Sequence, residues 1–568
     1  MSSTEINQAT PTQPSLDVAR KPVTGISIGD YLLRRLGDYG VRDVFGIPGD
    51  YILSFYTKLE RGPLNAVGCT REDCAGFAAD AYARINGMGA VCVTYCVGGL
   101  SLCNSVAGAY AEKSPVVVIS GAPGVRERYN NPLLHHKVRD FRTQAEVFRR
   151  LCAASAELND PDTAFREIDR VLDAVARYRR PGYLELPRDM VGVVPDGVYC
   201  PKCTESKSDA GALAEAVAEA ARRISSSRRT AILAGVELHR FGLQDQLLEL
   251  AEGAGIAITT TLLGKSVVSE THPLFAGIYE GAMGREEVTQ FVEESDCLLV
   301  LGAFMTDLNL GIDTANLDPG RCIYATSEQL RISHHNYHHV LLSDFLDGLV
   351  RAELKVAVRD LPPRPALVDA TFELQPDAPI TIRRLIARLN QALDSSTVVI
   401  ADVGDALFAS TELVVRQRTE FISPAYYTSM GYAVPAVLGA MTARPDLRAV
   451  ALVGDGAFQM TGMELSTIVR RGLNPIVIVL DNGGYGTERL LHAGDYRFNE
   501  IQPWCYHRLP AVLGGGTGYE VWTETEFDAA LSSAWADTRG MSLIHVHLPR
   551  GDYSKALERL AKKLSVRV

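Results

Sequence analysis

With 568 residues and a formal net charge of −11, the chain is long enough for several domains and offers no basic surface, which excludes nucleic acid as the expected partner. Hydrophobic residues make up 46% and charged residues 22%, an ordinary globular balance, and no apolar run approaches the roughly 18 residues needed to span a membrane. The opening residues, 1–24, are polar, rich in Ser, Thr, Gln and Pro, and lack an apolar signal core, which reads as a disordered arm on a cytoplasmic protein. Eleven cysteines are scattered, several of them inside apolar runs such as those of Cys92, Cys152 and Cys297, as expected of reduced core thiols. Cys200 and Cys203 have zinc-knuckle or redox spacing, but no second such pair completes four ligands, and their role stays open.

In chain order, residues 25–199 begin with a helical stretch at 28–36, a strand at 43–46 and a Pro-Gly turn, then alternate through strands at 91–94 and 116–120. The polar, turn-rich segment 200–210 marks a boundary. A second alternation over 211–357 places strands at 230–234, 256–260, 297–301 and 321–324, and the proline-rich segment 359–365 closes it. The third, 375–555, opens with a helix at 382–393 and a strand at 397–401, and 556–568 is left as a C-terminal tail. The expected fold class is α/β, with three doubly wound parallel-sheet domains.

The third domain carries the chemistry-bearing stretch. An apolar strand at 449–453 ends in Gly454-Asp455-Gly456, a helix follows, and a second strand at 476–480 ends in Asp481-Asn482-Gly483-Gly484. This is a βαβ unit, whose strands run parallel, and ligands in such sheets sit beyond the carboxyl ends of the strands. A carboxylate and an amide oxygen brought together there suit a hard divalent cation that keeps positions for phosphate oxygens, and glycines let the backbone come close. In the first domain, FGIPGDYI puts Asp50 after a strand and a tight turn, TREDCAGFAAD puts Glu72 at a helix start, and AYAEKSPVVVISGAP is followed by Leu133-Leu134-His135-His136.

GDG, twenty-five intervening residues and then Asn resembles the thiamine diphosphate signature, with Asp481 a mild departure. Together with the first-domain stretches, over about 25–555, the chain resembles the thiamine-dependent 2-oxo acid decarboxylases, the group containing pyruvate, indolepyruvate and phenylpyruvate decarboxylases, and its wording leans toward the aromatic-substrate members. The resemblance implies thiamine diphosphate and Mg2+ as cofactors, with Asp455, Asn482 and the Gly484 carbonyl on the metal. Glu72 would share a proton with the aminopyrimidine ring, and Asp50, His135 and His136 would form a proton relay with Glu488 as a second catalytic glutamate. Met430 would wedge under a bent cofactor whose amino group meets the Thr428 carbonyl, and Gly404, Asp405, Gly454, Gly456 and Ala457 would complete its contacts. The site would lie between subunits of a homodimer, expected to pair into a homotetramer.

Pyruvate-specific relatives close the pocket with an aromatic residue where Leu407 stands, and with a branched aliphatic one where Thr487 stands. Both changes remove volume, and with Val403 and Leu491 on the same wall the pocket should admit aromatic or long aliphatic 2-oxo acids. Pyruvate decarboxylation is the alternative. A carboligase of the acetohydroxyacid synthase type would lack the histidine pair and use FAD, a non-catalytic paralogue would have lost Asp50, Glu72 or a histidine, and a NAD-dependent oxidoreductase would need a well-placed G-x-G-x-x-G.

Overall fold

The structure is a computed structural model that describes residues 21–202, 206–356, 361–362, 372–416, 420–494 and 496–564. Most of the amino-terminal arm, Cys203 and most of the proline-rich connector lie outside the described residues. Two compact units form, the first from residues through 205 and the second mainly from 206 onward.

The first unit is one α/β domain. Its strands are β1 (Asp43–Gly46), β2 (Asn65–Gly68), β3 (Gly89–Val93), β4 (Val116–Ala122), β5 (Ala154–Glu157) and β6 (Gly182–Pro187), all parallel, in the order β2-β1-β3-β4-β6-β5. β4 reads VVVISGA and is buried along its whole length, as a central parallel strand covered on both faces must be. The crossover helix Pro161–Tyr178 starts where the Asp160 side chain accepts from Asp162 N and a proline takes the first helical position, and it buries an apolar stripe that includes Phe165, Ile168 and Leu172. Order begins earlier than the sequence suggests. Val23 is buried and pairs with Tyr199 through backbone hydrogen bonds of 2.8 and 2.9 Å, so the last residues of the expected arm are fixed.

The second unit holds two further sheets. The central domain has β7 (Thr230–Ala234), β8 (Ala257–Thr260), β9 (Phe275–Ile278), β10 (Cys297–Leu301), β11 (Cys322–Ala325), β12 (Leu330–Ile332) and β13 (His335–Tyr337), in the order β13-β12-β11-β10-β7-β8-β9. Pairing is parallel from β9 to β11, but β11-β12-β13 is antiparallel, so the expected all-parallel sheet carries a hairpin at one edge. The third domain has β14 (Thr397–Ala401), β15 (Glu420–Ile422), β16 (Arg448–Gly454), β17 (Ile476–Asp481), β18 (Thr517–Val521) and β19 (Ser542–His547), all parallel, in the order β15-β14-β16-β17-β19-β18. Strand order reverses between β14 and β16, which makes their carboxyl ends the ligand crevice. The stretch expected to be a tail contains a helix, Lys555–Leu564, whose Leu557 and Leu560 pack with Phe408 and Met283. None of the ten described cysteines forms a disulfide, and no helix among the described residues is long and apolar enough to cross a membrane.

Candidate active site

In the first domain the turn after β1 passes so close to Thr94 that a Cβ on Gly49 would lie 2.5 Å from the Thr94 Cβ, and this approach sets Asp50 beside the histidines. Asp50 Oδ2 lies 2.6 Å from His135 Nε2 and Asp50 Oδ1 lies 4.0 Å from His136 Nε2, with the two imidazoles 4.8 Å apart at 73°. His136 takes a left-handed φ of 65°, which turns the adjacent rings toward one carboxylate instead of to opposite sides. The buried Tyr51 stacks on His135 at 4.7 Å, and its hydroxyl lies 3.4 Å from His135 Nδ1. Burial, then the charge of Asp50, raises the Tyr51 phenol above its usual value and keeps it a proton donor. Arg188, ion-paired with Glu127, sits 5.1 Å over the Tyr51 ring and 4.0 Å from Asp50.

Glu72 opens the helix Glu72–Asn86, where its charge favours the dipole, and its carboxylate faces Gly98, an added Cβ there lying 3.5 Å from Glu72 Oε1. The helix is held close to its neighbour by Gly76, whose Cβ would meet Ser105 Oγ at 2.0 Å. Behind the 96–99 turn, Gln144 accepts from Cys96 N at 2.7 Å and donates to Ser120 Oγ at 2.8 Å and Tyr183 Oη at 2.6 Å, and Tyr183 in turn donates to Glu185. Burial lifts the Glu185 carboxyl to about 7.

In the third domain the GDG turn and the DNGG turn meet. Asp455 is buried and accepts from Gly456 N and Gly484 N, each at 2.8 Å, which ties the end of β16 to the end of β17. Burial and the nearby Asp481 raise the Asp455 carboxyl, whereas His545, against burial, holds Asp481 below its ordinary value. Next to this crowded pair, Asn482 Oδ1 is buried with no hydrogen-bond partner among the described residues, an arrangement that costs about 1–3 kcal/mol unless something binds there. Two buried acidic oxygens and an orphaned amide oxygen fit a hard cation. The glycines serve shape: a Cβ on Gly456 would strike Tyr485 at 2.7 Å, one on Gly486 would strike Asn482 Nδ2 at 2.5 Å, and one on Gly454 would meet nothing within 4 Å, so the mouth of the turn is open.

Across the crevice, Asp402 at the end of β14 accepts from Val403 N, Gly431 N and Ala433 N at 3.0, 3.1 and 2.8 Å and so fastens the 428–433 loop. That loop holds Thr428 at a φ of 54°, a genuine outlier for a β-branched residue, and leaves Met430 half-buried. Thr487 is half-buried, with its Oγ1 3.4 Å from where a Gly404 Cβ would stand, and Glu488 is exposed on the helix Gly486–Leu491. Val403 and Leu491 are half-buried and Ala457 is buried beside the GDG turn.

Three family models match in order: the thiamine pyrophosphate enzyme N-terminal TPP binding domain over residues 26–145, the central domain over 217–345 and the C-terminal TPP binding domain over 402–546. The chain is 36% identical over 543 residues to an indole-3-pyruvate decarboxylase of Azospirillum brasilense, covering 94% of this chain and 98% of that one. It is 35% identical over 560 residues to an alpha-keto-acid decarboxylase of Mycolicibacterium paratuberculosis, covering 97% and 99%, and 34% identical over 560 residues to one of Mycobacterium tuberculosis H37Rv, covering 98% and 100%. The chain belongs to the thiamine diphosphate-dependent 2-oxo acid decarboxylases.

Within this decarboxylase two of the expected residues are held in place by neighbours inside the third domain. Leu407 has no exposed surface and packs in the third-domain core with Ala401 and Leu452. The Asp405 carboxylate, lifted to about 6 by burial, accepts from the backbone N and the hydroxyl of Ser554. Four positions that the sequence does not point to shape the decarboxylase site. Tyr51 could have been read from its place beside Asp50, whereas Arg188, Asp402 and Arg489, which donates to the carbonyls of Asn482 and Gly483, act through long-range or loop contacts without a local signature.

Proposed function

We propose that the chain converts 2-oxo acids with an aromatic or long aliphatic side chain, phenylpyruvate and indolepyruvate foremost, to the aldehyde and carbon dioxide. The carrying observation is the approach of Thr487 to Gly404, its Oγ1 3.4 Å from where a Cβ on Gly404 would stand: a hydroxyl faces a glycine where a larger side chain would close the crevice, and each methylene of pyruvate-sized space left unfilled forfeits about 0.8 kcal/mol of binding. A relative named indole-3-pyruvate decarboxylase, matched over nearly its whole length, supports the same reading.

Thiamine diphosphate, when bound, supplies the electron sink that no side chain provides. Asp455, Asn482 and the Gly484 carbonyl would hold Mg2+, for which the orphaned Asn482 Oδ1 and the buried Asp455 carboxylate are the support. Gly404, Gly454, Gly456 and Ala457 give the backbone close approach, Met430 and the Thr428 carbonyl position the ring system, and Glu72 shares a proton through its carboxylate. His135, oriented by Asp50 and Tyr51, and His136 move protons near neutral pH, with Glu488 as a further acid. A homodimer paired into a tetramer, in the cytoplasm, belongs to the proposal, and light scattering checks the assembly. The substrate reading is tested by steady-state kinetics on phenylpyruvate, indolepyruvate, pyruvate and branched 2-oxo acids; a kcat/KM for pyruvate above those of the aromatic acids overturns it.

A further inference from the structure

We propose that His507, His545 and Glu520 form a second metal site, for a transition ion of the zinc class, at the edge of the third domain. The inference stands on different residues from the decarboxylase reading and does not depend on it. His545 lies on β19, Glu520 on the edge strand β18 and His507 on the single turn Tyr506–Arg508, and one donor atom of each falls within 4.8 Å of the others. His507 Nδ1 stands 3.3 Å from His545 Nδ1 and 3.7 Å from Glu520 Oε1. Two bonds of about 2.0–2.1 Å at a tetrahedral angle put their donors roughly 3.3–3.4 Å apart, so this is the spacing of ligands that share one small ion.

The other nitrogen of His545 decides its role. His545 Nε2 lies 2.8 Å from Asp481 Oδ2, too close for two donors on one tetrahedral ion and right for an N–H to oxygen hydrogen bond. That bond fixes the tautomer and leaves the Nδ1 lone pair facing His507, the carboxylate–histidine arrangement that stands behind metal-bound imidazoles. The same distance disfavours the competing set of Asp481, His545 and His547. His547, stacked on Trp522 at 3.5 Å, reaches Glu520 Oε1 with Nε2 at 3.1 Å and steadies that carboxylate. His545 is 2% exposed and locked, whereas Glu520 is exposed and His507 partly so, which gives an ion a route in and leaves a fourth position for water. Two imidazoles and one carboxylate prefer zinc-like ions to magnesium. Such an ion would pin the edge strand β18 to β19 and to the Tyr506–Arg508 turn.

The test uses full-length protein stripped with a chelator, reloaded with thiamine diphosphate and excess magnesium, and titrated with zinc chloride by calorimetry, with metal per chain counted by mass spectrometry after gel filtration. One zinc per chain is expected, bound at least tenfold more weakly by His507→Gln and by Glu520→Gln, substitutions of partly or largely exposed side chains whose circular dichroism should match the parent. Retention of no zinc overturns the proposal and leaves a hydrogen-bonded chain of imidazoles. Zinc bound with unchanged affinity by both variants also overturns it, because the ion then sits elsewhere, with Asp50, His135 and His136 the first place to look.

Discussion

Asn482→Ala separates a ligand position from a packing position. Asn482 Oδ1 is buried without a hydrogen-bond partner among the described residues, and an unmet acceptor of this kind costs about 1–3 kcal/mol. Removing it should therefore leave the unliganded protein as stable as the parent, or more stable by up to about 1 kcal/mol once the small cavity is offset. Binding should move the opposite way. A bond from this oxygen to a charged ion is worth about 1.5–3 kcal/mol, or roughly ten- to a hundredfold in affinity, so magnesium-dependent binding of thiamine diphosphate should weaken by that factor. Calorimetric titration of the cofactor at fixed magnesium measures the second effect, and denaturant unfolding of the stripped protein measures the first. A variant that loses stability without ligand yet binds cofactor as the parent does would make Asn482 a packing residue and refute the assignment.

Glu72→Gln should keep the fold but lose turnover, because an amide cannot share the proton; deuterium exchange at the thiazolium carbon that stays at the parent rate rules this out. His135→Ala or His136→Ala should slow aldehyde formation by roughly two to four orders of magnitude, with intermediate diverted to an added aldehyde or an artificial oxidant, and parent rates for both variants across neutral pH would end the relay. Thr487→Ile, which refills the space beside Gly404, should lower kcat/KM for phenylpyruvate more than for pyruvate; equal losses would place the side chain outside the pocket. The folded carboxyl of Glu185, near 7 against an ordinary 4.5, favours the protonated folded state. Its contribution, up to about 3 kcal/mol, is fully present below 4.5 and fades as pH rises through 7, so Glu185→Gln should flatten the fall in first-domain stability over that window in denaturant titrations.

The three α/β alternations and the GDG-to-Asn spacing were legible because apolar strands bounded by glycine turns carry a local signal, and in the structure Gly484 N donates to Asp455, which joins the ends of β16 and β17. His135 and His136 likewise reach Asp50 from 85 and 86 residues away. What escaped the sequence depends on tertiary context. β12 and β13 have three residues each, too few for a periodic pattern, whereas the helix Lys555–Leu564 carries the helical apolar period in KALERLAKKL and was there to be read. The clamp of Asp402 on the 428–433 loop becomes visible only when Gly431 and Ala433 fold back on it.

The lengths of the outermost strands limit how copies of this chain can associate. β2, β5, β9, β13, β15 and β18 span three to five residues each, and on the central sheet the last of these, β13, is the polar return strand of a hairpin. A ladder that short offers an incoming strand only a few hydrogen bonds, too few to outweigh the entropy of docking. Continuous sheets from one copy of the chain to another, and the fibrous stacking that they invite, are thereby disfavoured, which leaves helices and loops as the surfaces on which copies could meet and part without unravelling a sheet.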